Sequence, residues 1–263
     1  MEPIRSAANT QVKRVRAVRA GKEPGLMLLE GPRLVADALE HGLELELLLV
    51  ATDKPELVAA FAVQARGRLV EIEPELLDRI SDLKTSPGIL ALAWTPAVRP
   101  VDELGAAMAE RGASAPLVLV VDGVSDPVNL GALARSAEAA GAAGLVFVRG
   151  GASPWNPRAL RGSMGSLLRL ALFEAEDAEA AQRGVAEAGL RIVRPDTRGG
   201  VDWRAVDWAP PTALWIGGET HSAGVEGLAV SIPMGGAVES LNVTVAASLL
   251  LFAAGRGPSG GAS

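Results

Sequence analysis

Along the chain, short runs that are apolar at every position alternate with stretches whose apolar residues recur every three or four positions. "LMLLEGPRLVADALEHG" begins the alternation with an apolar strand, then a helix in which Leu34, Ala38 and Leu39 share one face. "LELELLLVAT", "RLVEI" and "GILALAW" read as further strands, with "PELVAAFAVQARG" and "PELLDRISD" as helices between them. This rhythm predicts an α/β unit ending near residue 94. "TPAVRPVDELGAAMAERGASAP" then brings prolines and small residues, and reads as a linker with one helix and no strand.

From "PLVLVVDGV" the rhythm restarts. A strand at 117–121 precedes a polar turn and a helix at about 129–140. "GLVFV" is a strand, "PRALRGSMGSLLRL" a helical or turn region and "ALF" a short strand. The helix "EDAEAAQRGVAEAG", the strands "LRIVRP", "ALWIG" and "AVSIPM", and a last apolar helix complete the pattern. Runs such as "LVLVV" suit strands buried on both faces of a parallel sheet. The expected fold is therefore α/β, with units at 1–95 and 116–256, a linker at 96–115 and a tail at 257–263.

Composition narrows the chemistry. The 263 residues are 49% hydrophobic and 21% charged, enough for real cores. With no cysteine, disulfides, thiolate metal sites and cysteine nucleophiles are excluded. His41 and His221 are the two histidines and lie far apart, so no metal site is expected. The first residues hold no apolar stretch typical of a secretory signal, and the apolar run 243–254 is too short to span a bilayer. No membrane association is expected, and a cytoplasmic location is. The net charge of −6 hides an uneven distribution. Arg5, Lys13, Arg14, Arg16, Arg19, Lys22 and Arg33 face few acids in the opening segment. Arg149, Arg158, Arg161 and Arg169 form a second basic group.

No dinucleotide or P-loop glycine pattern is present, and "RGSMG" lacks the first glycine of a nucleophile elbow. Three stretches remain. In "VDGVSDPVNLGALARSAEAAG", Gly131 costs a helix roughly 1 kcal/mol against alanine, which suggests a close approach there. Arg135 and Glu138 are spaced to pair on one face. In "LWIGGETHSAGV" an apolar strand runs into Gly217-Gly218 and Glu219, the kind of edge where α/β proteins bind ligands. In "SIPMGGAVESLNVTVAASLLLFAA", Pro233 ends a strand and Glu239, Ser240 and Asn242 are set against the most apolar segment. Helix capping alone explains the last pattern equally well.

Taken together and in this order, "DPVNLGALARSAEAAG", "IGGE" and "IPMGGAVESLNVTVAA" resemble the three motifs of the SpoU family of RNA ribose 2′-O-methyltransferases, in the SPOUT superfamily. "NPRALRGSMGSLLRL" is similar to the segment between the motifs. The first half, "IRSAANTQVKRVRAVR…LLEGPRLVADAL…TSPGILAL", resembles the ribosomal-protein-like RNA-binding domain that many members carry.

The resemblance implies a C-terminal domain with a deep trefoil knot, a homodimer formed through it, S-adenosylmethionine as cofactor and a smaller N-terminal α/β RNA-binding domain. It implies catalytic roles beside the target ribose for Asn129, Arg135, Glu219, Ser240 and Asn242. It assigns Gly217, Ile232, Met234 and Leu241 to the cofactor. A guanidinium keeps its proton in proteins, so Arg135 is expected to hold a phosphate and stabilise the developing alkoxide rather than act as base. The RNA expected is large-subunit rRNA, with tRNA or a non-catalytic RNA-binding role as alternatives. One departure stands out: Gly224 comes two places late after Glu219, and a helical stretch usual before "IPM" is largely missing. An open cofactor wall is expected over 220–227.

Overall fold

Asn9 begins the first helix by accepting the Gln11 N–H at 2.8 Å. This is an N-cap that satisfies one of the helix's orphan donors. The helix, α1 (Thr10–Arg19), buries Val12, Val15 and Val18, spaced three apart on one face. The computed structural model describes residues 2–112, 116–197, 199–217, 224–236 and 238–255. The chain divides into two units, residues 1–96 with 154–169, and residues 97–153 with 170–263.

In the first unit the alternation read from the sequence becomes β1 (Leu26–Glu30), α2 (Pro32–Glu40), β2 (Leu45–Ala51), α3 (Pro55–Phe61), β3 (Leu69–Ile72), α4 (Pro74–Ile80) and β4 (Ile89–Trp94). Helices α2, α3 and α4 each carry proline in the first turn, where its missing N–H costs nothing. The sheet runs β1-β4-β2-β3, with β2 and β3 parallel and the other pairs antiparallel. Leu26 and Leu28, Leu47 and Leu49, and Leu90 and Leu92 alternate onto the sheet face that α1 and α4 cover with Val12, Val15, Leu77 and Ile80.

The second unit opens with β5 (Arg99–Pro100), α5 (Leu104–Glu110), β6 (Leu117–Asp122), α6 (Pro127–Ala139) and β7 (Gly144–Val148). The chain then forms α7 (Pro157–Ser163) and α8 (Ser166–Arg169), which belong to the first unit. It returns through β8 (Ala171–Ala175), α9 (Ala178–Glu187), β9 (Arg191–Pro195), β10 (Val201–Asp202), β11 (Thr212–Gly217), β12 (Leu228–Ser231) and α10 (Val243–Ala254). Eight strands form one parallel sheet in the order β10-β12-β9-β11-β6-β7-β8-β5. Its central strand β6 is buried throughout, as its unbroken apolar run requires.

The stretch read as a linker is built into the second unit instead. β5 pairs with β8 at the sheet edge, and Val101, Leu104, Ala107 and Met108 join Phe173 and Val185 in the core. A two-residue strand containing proline carries no periodic signal, which is why the sequence pattern passes over it. The expected tail at 257–263 lies outside the described residues. Among the described residues no helix is long and apolar enough to cross a membrane.

Helices α7 and α8 are held in the first unit by charge as well as by packing. Glu30, at the end of β1, has a side chain with no solvent exposure. It accepts hydrogen bonds from Ser81 Oγ and, at 3.1 Å, from Arg161 Nη1 of α7. Arg161 Nη2 donates to Asp82 at 2.6 Å, and Arg169 Nη1 of α8 lies 3.4 Å from Asp37. Arg161→Ala leaves a buried carboxylate without its cation, a change that costs about 3 kcal/mol. Denaturant unfolding of the single variant should show that loss, and the double variant Glu30→Leu/Arg161→Met should recover most of it.

Candidate active site

The site is assembled from strand ends. β6 ends at buried Asp122, which pairs in register with Gly217 at the end of β11. β9 flanks β11 on its other side, and β12 flanks β9. Because all these strands are parallel, their carboxyl ends share one edge, where α/β folds leave a crevice.

Two helices start at that edge. Asp126 caps α6 by accepting the Val128 N–H at 3.0 Å, with Pro127 in the first turn. Asn242 caps α10 by accepting the Thr244 N–H at 2.9 Å. The helices pack together. Thr244 Oγ1 donates to Asn129 Oδ1 at 3.3 Å. Ser248 Oγ donates to the Thr244 carbonyl at 2.7 Å and lies 2.8 Å from Ser136 Oγ. With its proton committed, Ser248 can only accept, so Ser136 is the donor of that second bond. At the far end a side chain on Gly255 would collide with the Ala140 carbonyl, so glycine is required there.

Between the strand ends and the helix starts lies a cleft of about 950 Å³, a size suited to a cofactor. Of the residues singled out in the sequence, Asn129, Gly217, Ile232, Met234, Ser240 and Leu241 line it. Asn242 stands beside the lining residues Leu241 and Val243 as the helix cap. Arg135 does not line the cleft. It lies on the solvent face of α6 and makes no ion pair among the described residues, so the pairing with Glu138 that the spacing allows is not formed. Gly131 lies on the buried face of α6, packed against protein. Glu219 lies outside the described residues.

Of the expected open wall over 220–227, residues 220–223 also lie outside the described residues. Beyond that point Gly224, Glu226 and Gly227 are exposed, but the backbone is anchored. Val225 is buried in the core, and the Glu226 N–H donates to Gln182 Oε1 at 3.0 Å. Gly227 sits so close to Ile192 that a Cβ would come within 2.8 Å of it. At 225–227 the stretch is thus held by contacts with α9 and β9.

Three charged residues of the lining, Asp126, Arg194 and Asp196, are not among those the sequence pattern singles out. Arg194 and Asp196 fall at the end of "LRIVRP", read only as a strand. Their signal was position: charged residues at the carboxyl end of a parallel strand stand at the ligand edge. Among the described residues no cluster of His, Asp or Glu could hold a metal ion.

The basic residues also sort themselves. Arg14 is tied to Glu23 and Glu46, Arg5 to Glu73, and Arg149 to Glu174. Hydrogen bonding to Glu46 and Glu23 raises the Arg14 pKa above its ordinary value. Lys13, Arg16, Lys22 and Arg33 are exposed and make no ion pair among the described residues.

Comparison with known proteins decides the family. Residues 116–252 match the SpoU rRNA Methylase family. The chain belongs to it. Residues 9–91 match the MRM3-like substrate binding domain. An uncharacterized tRNA/rRNA methyltransferase of Mycolicibacterium smegmatis is 32% identical over 94% of this chain and 80% of its own length. The 23S rRNA (guanosine(2553)-2′-O)-methyltransferase RlmP of Bacillus subtilis is 28% identical over 96% of this chain and 98% of its own. An AdoMet-bound rRNA methyltransferase from Sinorhizobium meliloti superposes with a TM-score of 0.83, at 28% identity over 96% of this chain and 97% of that one. For a SpoU methylase, the cleft at the sheet edge is the candidate S-adenosylmethionine site.

Asn242 has a structural duty and a candidate chemical one, and substitution separates them. Asn242→Ala removes the cap and should lower stability by about 1 kcal/mol. Asn242→Ser keeps a capping oxygen and should melt within a degree or two of wild type, on the order of a few tenths of a kcal/mol. If the amide serves the reaction, both variants lose turnover alike in a methyl-transfer assay.

Proposed function

We propose that this protein methylates a ribose 2′-hydroxyl of large-subunit ribosomal RNA, with S-adenosylmethionine as the methyl donor. The observation that carries the proposal is the convergence of motif residues on one cleft at the carboxyl edge of the parallel sheet, in a chain of the SpoU rRNA methylase family. The lining suits that cofactor. Ile232, Leu241 and Val225 offer apolar surface to a base, Gly217 leaves strand-end backbone groups within reach, and Asp126, Asp196 and Glu239 give the cleft an acidic character that favours a cation.

The cofactor supplies a methyl group already activated on a sulfonium, so the protein's tasks are positioning and charge management. Gly217, Ile232, Met234 and Leu241 hold the cofactor by backbone and apolar contact. Asn129, Ser240 and Asn242, with Glu219, place the ribose. The α6–α10 hydrogen bonds fix the relation between Asn129 and the start of α10. Arg135, on the outer face of α6, takes an RNA phosphate near the target and so helps to place the ribose. The proton leaves to water or to that phosphate.

RNA is held by the first unit through Lys13, Arg16, Lys22 and Arg33. Lys13 and Arg16 are neighbours on the exposed side of α1. The working form is a cytoplasmic homodimer, whose interface is the exposed apolar face of α10: Val245, Leu249 and Phe252, beside Trp203. The SPOUT knot belongs to the same reading, with the segment leading to α10 as the threaded piece.

Mapping ribose methylation in total RNA from cells with and without the gene tests the activity. Loss of one methyl mark in 23S rRNA is expected. Loss confined to a tRNA would overturn the substrate, and no loss would overturn the activity in favour of a binding role. Arg135→Lys should reduce turnover about a hundredfold with little change in melting, because an ammonium does not reproduce the planar fork. Lys13→Glu/Arg16→Glu should weaken RNA binding and flatten its salt dependence by about two phosphate contacts, read from affinities over a salt series.

A further inference from the structure

Among the described residues, the charged side chains lining the cleft are Asp126, Arg194, Asp196 and Glu239. Arg194 is the one cation in this set. The side chains of Arg194 and Asp196 are 24% and 17% exposed, and they pair at 3.0 Å between Nη1 and Oδ2. The Asp196 N–H donates to the Val230 carbonyl at 2.8 Å, which fixes the pair to the end of β12. Arg194 Nε is buried and has no hydrogen-bond partner. An arginine three-quarters buried at a ligand edge, with donor capacity left over, is a costly placement unless something uses it.

S-adenosylmethionine has one anionic group, the carboxylate of its methionyl part, and two cationic ones, the sulfonium and the ammonium. The other charged side chains described in the lining are carboxylates, so that carboxylate needs a cation, and a guanidinium matches it in charge and geometry. We propose that Arg194 binds the methionyl carboxylate of the cofactor and that Asp196 is its charge partner. This rests on the assignment of the cleft to S-adenosylmethionine. Asp196 has two effects. It anchors Nη1 so that the rest of the guanidinium points predictably, and it offsets a positive charge that would otherwise repel the sulfonium. Arg194 and Asp196 therefore bind and orient the donor without touching the ribose that is methylated.

Calorimetry with two probes tests this. S-adenosylhomocysteine carries the amino-acid carboxylate. 5′-Methylthioadenosine shares its adenine, ribose and sulfur but lacks the amino acid. Arg194→Ala should weaken S-adenosylhomocysteine binding about ten- to hundredfold. The same variant should leave 5′-methylthioadenosine within about twofold of wild type, since no charge-assisted bond is lost. Arg194→Lys should recover part of the loss for the first probe alone. If Arg194→Ala does not fold, Arg194→Gln, which keeps volume and a donor but no charge, gives the same comparison. Equal loss for both probes would overturn the proposal, because Arg194 would then act on the nucleoside or support β9. Unchanged binding of both would overturn it as well. Ile232→Asp separates this from failure of the cleft assignment. Lost binding in Ile232→Asp with unchanged binding in Arg194→Ala rejects Arg194 alone. Unchanged binding in both rejects the cleft.

Discussion

The contact between α6 and α10 is the constraint on which the rest of the site depends. Each helix begins at the carboxyl edge of the sheet, and each has its first turn closed by a side chain, Asp126 in one and Asn242 in the other. A cap fixes where a helix starts, and two capped helices packed side by side fix where their starts stand relative to each other. The bond from Thr244 to Asn129 joins the two first turns, and the Ser136–Ser248 pair repeats the link about one turn further along α10 and two along α6. Residues more than a hundred apart in sequence are thereby held in one arrangement. That is what a reaction requiring two substrates in line demands of its protein.

Charge is divided in a way the net value conceals. Among the described residues, the charged side chains lining the cleft are acidic apart from one compensated arginine, which suits a cationic donor. Among the described residues, cations without an ion pair lie outside it, including Lys13 and Arg16 on α1, Arg33 at the start of α2 and Arg135 on the outer face of α6, which suits a polyanion. An acidic protein can thus bind RNA without a basic overall composition. The many arginines already committed to carboxylates, such as Arg14, Arg149 and Arg161, show why counting basic residues in the sequence overstates the RNA-binding surface.

Much of this was legible in the chain. The strands β6, β7 and β11 announce themselves as unbroken apolar runs, and the strand within "AVSIPM" and the helix capped at Asn242 are legible because each has a local signal, although the strand stops at Ser231, before the proline. What escaped notice had no local signal. β5 is two residues long and includes proline, so only its pairing with β8 reveals it. α1 was read for its charge, although its three buried valines mark a helix once the spacing is considered. Arg194 and Asp196 are ordinary residues at a strand end, and only the parallel order of the sheet brings that end into the cleft. Arg135, which the resemblance puts beside the target ribose, lies on α6 some six residues beyond Asn129, about 9 Å along the axis and on another face, and no periodicity in the sequence ties it to the cleft.

The stretch from 154 to 169 shows why the chain does not divide where its composition does. In sequence it lies between β7 and β8, adjacent strands of the second unit, yet its helices complete the first. Leu160 and Leu167 are buried there, and Arg161 meets a carboxylate that no water reaches. A fragment cut near residue 95 would retain these side chains and lose what covers them, including both acidic partners of Arg161. Apolar burial and a desolvated ion pair fail together under such a cut, since each depends on the same surface. The two units are distinct cores made by one interwoven chain. Folding of the parallel sheet between β7 and β8 thus shares a segment with the four-stranded sheet.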